Sequence, residues 1–148
     1  MRSFMLGALI LAALAATACA ADDSVADDDE TSPPDTSLEV TMTDLAFSVP
    51  EITARAGERL RVTFRNDGAV VHDFTIEEMP HVQMSTMGGT TAGEHGDHMN
   101  DGRAVHLAVD PRAEAVLDLR AEDAGTYEFF CSVPGHREAG MAGILRIQ

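Results

Sequence analysis

Along most of the chain, hydrophobic positions recur at every second residue. Leu60, Val62 and Phe64 alternate with Arg59, Arg61 and Arg65, giving an extended segment one apolar and one charged face. Similar runs occupy residues 38–42, 70–76, 104–109, 115–120, 126–130 and 143–147. Turn formers stand between them: Gly57, Asn66-Asp67-Gly68, Asp110-Pro111 and Asp123-Ala124-Gly125. Seven or eight short strands punctuated in this way predict an all-β fold, a β-sandwich or barrel. No strand–helix alternation is visible, which excludes the α/β nucleotide-binding folds. Asp123-Ala124-Gly125-Thr126-Tyr127 has the form of a tyrosine corner, a feature of Greek-key sandwiches. Residues 79–103 break the pattern. With four Met, three His, five Gly and no strand-like run, they read as a long insertion loop between two strands.

Before residue 38 the alternation is absent. Residues 1–18 carry Arg2 and then an apolar stretch too short to span a bilayer, as a secretory signal does. Ala16-Thr17-Ala18-Cys19 resembles the bacterial lipobox, in which the Cys is lipidated and becomes the mature N-terminus. Ordinary cleavage after Ala18 or Ala20 is the rival reading. Residues 19–37, rich in Asp, Ser, Thr and Pro, form an acidic flexible tether, because they cannot bury enough apolar surface to offset the entropy of ordering. The expected organisation is a signal over 1–18, a tether over 19–37 and a β-domain over 38–148. The product is exported to the periplasm or the outer side of the cell membrane, and meets that membrane through a lipid on Cys19.

Composition adds two constraints. The 148 residues are 45% hydrophobic and 24% charged, as in an ordinary globular protein, and the length suits one domain. The net charge is −15 and Lys is absent, which argues against nucleic acid as a partner. Seven acidic and no basic residues lie within 22–35, yet residues 38–148 still carry a net −9. An acidic monomer of this kind suits transient docking to a positively charged partner, although solubility alone accounts for the charge equally well. Of the two cysteines, Cys19 ends the signal, so Cys131 is left without a partner. An unpaired thiol in an exported domain requires an explanation.

The explanation lies in its neighbours. Residues 131–141 read Cys-Ser-Val-Pro-Gly-His-Arg-Glu-Ala-Gly-Met, which places Cys131, His136 and Met141 at Cys-x4-His-x4-Met spacing between two strands. His72 lies upstream in Val70-Val71-His72-Asp73-Phe74, just after the Asn66-Asp67-Gly68 turn. A thiolate, two imidazoles and a thioether are the donors of a type 1 copper site, trigonal His2Cys with a long axial Met. Taken singly, these side chains would be read as a packed histidine, a small buried hydrophobe and a core filler. Their joint spacing is what points to one copper ion. A second metal site is a further candidate. Met79, His81, Met84, Met87, His95, His98, Met99 and His106 are soft or borderline donors in or beside the insertion, although no geometry is enforced there.

Leu45-Ala46-Phe47, Ala56-Gly57-Glu58, Phe64-Arg65-Asn66, His72-Asp73-Phe74, Gly125-Thr126-Tyr127-Glu128-Phe129 and the Cys131 to Met141 loop together resemble the cupredoxins, the small blue-copper proteins related to plastocyanin, azurin and auracyanin. The resemblance implies a Greek-key β-sandwich with copper near one end. It also implies equatorial ligation by His72, Cys131 and His136, axial ligation by Met141, and an exit for the electron at the outer edge of His136. Asp73 stands where many family members have an Asn that braces the ligand loop. The implied function is single-electron, outer-sphere transfer between extracytoplasmic redox proteins, with no catalytic residues and no enzymatic reaction. The alternative is copper binding or delivery through the Met/His-containing insertion.

Overall fold

A computed structural model describes residues 33–89 and 102–148, in which the alternation resolves into ten strands. They are β1 (Thr36–Thr43), β2 (Ala46–Phe47), β3 (Glu51–Ala54), β4 (Arg59–Asn66), β5 (His72–Ile76), β6 (Val82–Gly88), β7 (Val105–Val109), β8 (Glu114–Ala121), β9 (Gly125–Phe130) and β10 (Ala142–Ile147). Two five-stranded sheets form, in the orders β2-β1-β4-β8-β6 and β3-β10-β9-β5-β7. Pairing is antiparallel except for β1 with β4 and β3 with β10. From β3 to β9 the chain crosses between the sheets at every step, so a single core fills the space between them.

The alternation in β4 does what the sequence predicts. Leu60, Val62 and Phe64 enter the core, while Arg59 and Arg61 project outward and share Asp118 on β8. Arg61 forms a fork on that carboxylate, with Nε and Nη2 each 2.7 Å from an oxygen. Inside, Phe74 of β5 stacks on Phe129 of β9 at 4.9 Å between centroids and tilts against Phe64 of β4 at 4.9 Å. Phe47 of β2 closes the group edge-on to Phe74 and Phe129. These rings bridge the two sheets, and Phe129 lies two residues before Cys131. The tyrosine corner also forms, since the Tyr127 hydroxyl donates to Asp123 O at 3.2 Å.

Two expectations are corrected. Residues 79–103 contain a strand: β6 pairs with β8 from Val82↔Ala121 to Gly88↔Ala115 and forms a sheet edge. Val82 and Met84 pack against the core, and Met79 is itself a core residue, so part of the methionine content serves packing. The folded domain also begins before residue 38. β1 starts at Thr36, and the Asp35 carboxylate accepts the Arg59 N–H at 2.8 Å. The expected signal, Cys19, the tether as far as residue 32, and His95, His98 and Met99 lie outside the described residues.

Candidate metal centre

Strand register brings the two sulfur residues together. The β9–β10 ladder ends at the pair Phe130↔Ala142, and just beyond it the Cys131 N–H donates to Met141 O at 3.0 Å. Cys131 and Met141 thus form the neck of a loop, and both are fully buried. Within the loop the Met141 N–H donates to His136 O at 2.9 Å, the His136 N–H to Val133 O at 3.0 Å, and the Ala139 N–H to Gly135 O at 3.1 Å. Gly135 and Gly140 adopt φ of 87° and 105°, left-handed values that glycine reaches without steric cost. This tight winding turns His136 back over the neck and leaves it half-buried.

His72 arrives from the other direction, as the first residue of β5, fully buried. The preceding turn is held by the buried Asn66, whose amide donates to Val70 O at 2.8 Å and Val109 O at 2.9 Å, while its Oδ1 accepts the Gly68 N–H at 2.9 Å. Every hydrogen-bonding group of that side chain is used.

The ligand atoms of His72, Cys131 and His136 all lie within 4.8 Å of one another. The Cys131 Sγ is 3.4 Å from His136 Nδ1 and 3.9 Å from His72 Nδ1. With metal–nitrogen and metal–sulfur bonds of about 2.0 and about 2.3 Å, as around zinc, a trigonal centre separates N from S by roughly 3.7 Å. The observed distances bracket that value. Electrostatics agree with the geometry. Burial pushes the Cys131 thiol above its ordinary pKa, and burial, followed by the proximity of His136, pushes His72 below its own. The pocket by itself therefore favours a neutral thiol and a neutral imidazole, and a cation between them reverses that preference for the thiol. A soft thiolate with two imidazoles fits copper, and Cys131, His72 and His136 are the residues that would hold it.

Asp73, in the place of the usual Asn, does brace the loop. Its Oδ1 accepts the Ser132 N–H at 2.7 Å and the Thr75 hydroxyl at 2.9 Å, and its Oδ2 accepts the Ser132 hydroxyl at 2.8 Å. Its own N–H points at the Cys131 Sγ, 3.4 Å away. Arg137, next to His136, lies over the Phe130 ring at 3.8 Å and pairs with Glu128 and Glu77, which ties the outside of the loop to its surroundings.

The expected ligands His72, Cys131 and His136 are thus brought together, with Met141 buried at the loop neck. Of the candidate donors of a second site, several among the described residues have other partners. His81 pairs with Asp123 at 2.8 Å, His106 with Thr75 at 2.9 Å, and Met79 belongs to the core. Sequence reasoning missed Ser132 and Thr75 as supports of the ligand loop. A serine directly after the ligand cysteine was the available signal.

A model of copper-binding proteins of the plastocyanin/azurin family matches residues 34–148. The chain is 29% identical over 137 residues to the copper-resistant cuproprotein CopI of Pseudomonas aeruginosa, covering 76% of each. It is 30% identical over 100 residues to auracyanin-A of Chloroflexus aurantiacus, covering 63% of this chain and 62% of that one. The solved structure of auracyanin B superposes with a TM-score of 0.60 at 21% identity, over 79% of this chain and 91% of the other, a likeness of fold. Strand order, converging donors and matched sequence agree: the chain belongs to the plastocyanin/azurin family of copper-binding proteins.

Proposed function

We propose that this chain is an exported, non-enzymatic type 1 copper protein that carries single electrons by outer-sphere transfer, with His72, Cys131 and His136 as equatorial donors and Met141 as the axial one. The observation that carries the reading is the donor arrangement: two fully buried donors, His72 and Cys131, and a third, His136, that is only partly buried. Copper bound there supplies a one-electron couple, its oxidised form tolerating imidazole and its reduced form preferring sulfur. The chain's residues do the rest. Burial keeps water and substrates away from His72 and Cys131, so that no bond is made or broken. His136, the most exposed of the three, offers the shortest route to a docked partner. Near the same end, Val70 precedes His72 and Leu45 follows Asp44, and both expose apolar surface on which a partner can seat. The net charge of −15 steers toward a basic partner. Export, with attachment through Cys19, belongs to the same reading: a lipid on Cys19 takes up the other thiol, and copper accounts for Cys131 staying unpaired in an oxidising compartment.

A second reading is favoured by the name of the Pseudomonas aeruginosa relative, a copper-resistant cuproprotein. In that case the same centre would retain or hand on copper outside the cytoplasm. Reconstitution with Cu(II) separates the two. A carrier takes one copper, turns intensely blue, cycles reversibly with a chemical oxidant and reductant, and keeps its metal against a Cu(I) chelator. Loss of the metal on each reduction would reject the carrier and favour delivery.

A further inference from the structure

Among the described residues, one buried side-chain nitrogen or oxygen lacks a hydrogen-bond partner: Nε2 of His72. Its ring turns Nδ1 toward the Cys131 Sγ, so the neutral imidazole carries its proton on Nε2, facing away from the metal pocket. A ligand histidine with a bare outer N–H is unusual, because that proton normally goes to a carboxylate or carbonyl that fixes the tautomer and the ring plane.

The nearest carboxylate is Asp44, with Oδ1 4.0 Å from His72 Nε2. Three features aim it there. Asp44 and Leu45 form the two-residue turn between β1 and β2, and Leu45 holds φ at 67°, a left-handed value that costs a bulky residue free energy and persists where surroundings impose it. The Ala69 N–H donates to Asp44 Oδ1 at 3.3 Å, tying that turn to the loop before His72. Between the two groups lies Gly68, at which a Cβ would stand 2.7 Å from His72 Nε2 and 3.0 Å from Asp44 Oδ1. Gly68 is thus required for the absence of its side chain, which would wedge the pair apart. Asn66 Oδ1 is also 3.0 Å from that point, but it already accepts the Gly68 N–H.

We infer that Asp44 is a positioning residue of the metal centre: its carboxylate accepts a hydrogen bond from the Nε2–H of His72 across Gly68, holding Nδ1 toward Cys131 and making that nitrogen a stronger donor. Closing from 4.0 Å to hydrogen-bond distance takes about an ångström, within reach of a side chain that is 73% exposed. A stronger imidazole donor favours the oxidised metal, so Asp44 lowers the reduction potential.

The inference rests on the proposed ligation by His72, and the test separates the two. In the reduced, diamagnetic copper protein, 15N NMR reads solvent exchange of the His72 Nε2–H, and voltammetry reads the potential. Asp44→Ala is expected to speed exchange about tenfold or more and to raise the potential, while Asp44→Asn, which still offers an oxygen, keeps the proton protected. Because Asp44 lies in an exposed turn, thermal melts of both variants should match the parent. Unchanged exchange in Asp44→Ala, or equal exchange in the two variants, would overturn the role of Asp44 even with the copper site intact. A parent protein without a blue band would instead overturn the ligation on which it rests.

Discussion

Asp73→Ala tests whether the ligand loop is held by the strand beneath it. The substitution removes the acceptor of three hydrogen bonds, from the Ser132 N–H, the Ser132 hydroxyl and the Thr75 hydroxyl. Hydrogen bonds to a charged group contribute about 1.5–3 kcal/mol each, but Asp73 is only 4% exposed and the desolvation cost of its carboxylate disappears with it. The net loss is about 2–4 kcal/mol, or a fall in Tm on the order of 10 °C for a domain of this size. Asp73→Asn is the control. Its amide oxygen can accept from the Ser132 N–H and from Thr75, and its NH2 can donate to a reoriented Ser132 hydroxyl, so the loss stays within about 1 kcal/mol. Urea unfolding of the metal-free proteins, followed by circular dichroism, measures both. In the copper-loaded Asn variant, removing a negative charge beside Cys131 raises the reduction potential. Should Asp73→Ala lose less than about 0.5 kcal/mol, or Asn prove as damaging as Ala, the bracing would be refuted.

Three other perturbations have expected outcomes. Met141→Gln is expected to keep copper and lower its reduction potential, because the axial donor tunes the couple; voltammetry measures it, and loss of copper would remove Met141 from the axial role. Gly143→Ala drives a methyl group into the Phe129 ring and Pro50 O, so unfolding should show a loss of about 1–3 kcal/mol, whereas Gly135→Ala meets no atom within 4 Å and loses only what its left-handed φ imposes. The hydrogen bond from Arg61, followed by that from Arg59, holds the Asp118 carboxyl below its usual pKa. Its stabilisation is therefore complete above the unfolded value near 3.9 and is lost as pH falls through the lower folded value; the gap between parent and Asp118→Asn stability should narrow below about pH 4.

The strands that could be read from sequence are those whose alternation is sustained, such as β4, where four outward polar residues flank three apolar ones. The ligand loop was legible because its three donors lie within eleven residues and its neck is set by local pairing. What escaped was tertiary. β2 and β3 have two and four residues, and β3 finds its partner in β10, far along the chain. β6 is an edge strand, and its Met and neighbouring His residues resemble metal donors as readily as strand positions. β5 is buried at all five positions although it reads His-Asp-Phe-Thr-Ile. Its polar side chains tolerate burial because His106 meets Thr75 and Ser132 meets Asp73, contacts across 31 and 59 residues that no periodicity reveals.

The donors are held by several linked restraints, and this bears on the proposed electron transfer. Cys131 is fixed by the β9–β10 neck, His136 by the wound loop, and His72 by the saturated Asn66 turn. These restraints interlock: Met141 bonds both Cys131 and His136, and Asp73, next to His72, accepts from Ser132, next to Cys131. A pocket whose donors already bracket a trigonal spacing needs little rearrangement when a charge arrives or leaves, and a small rearrangement is what an outer-sphere carrier requires. His136 is the least buried of the three, and Arg137, held over Phe130 and paired with Glu128, restrains the backbone beside it. Burial is complete at Cys131 and His72 and partial at His136, so under the proposed reading an electron would leave through the one donor that is not fully buried.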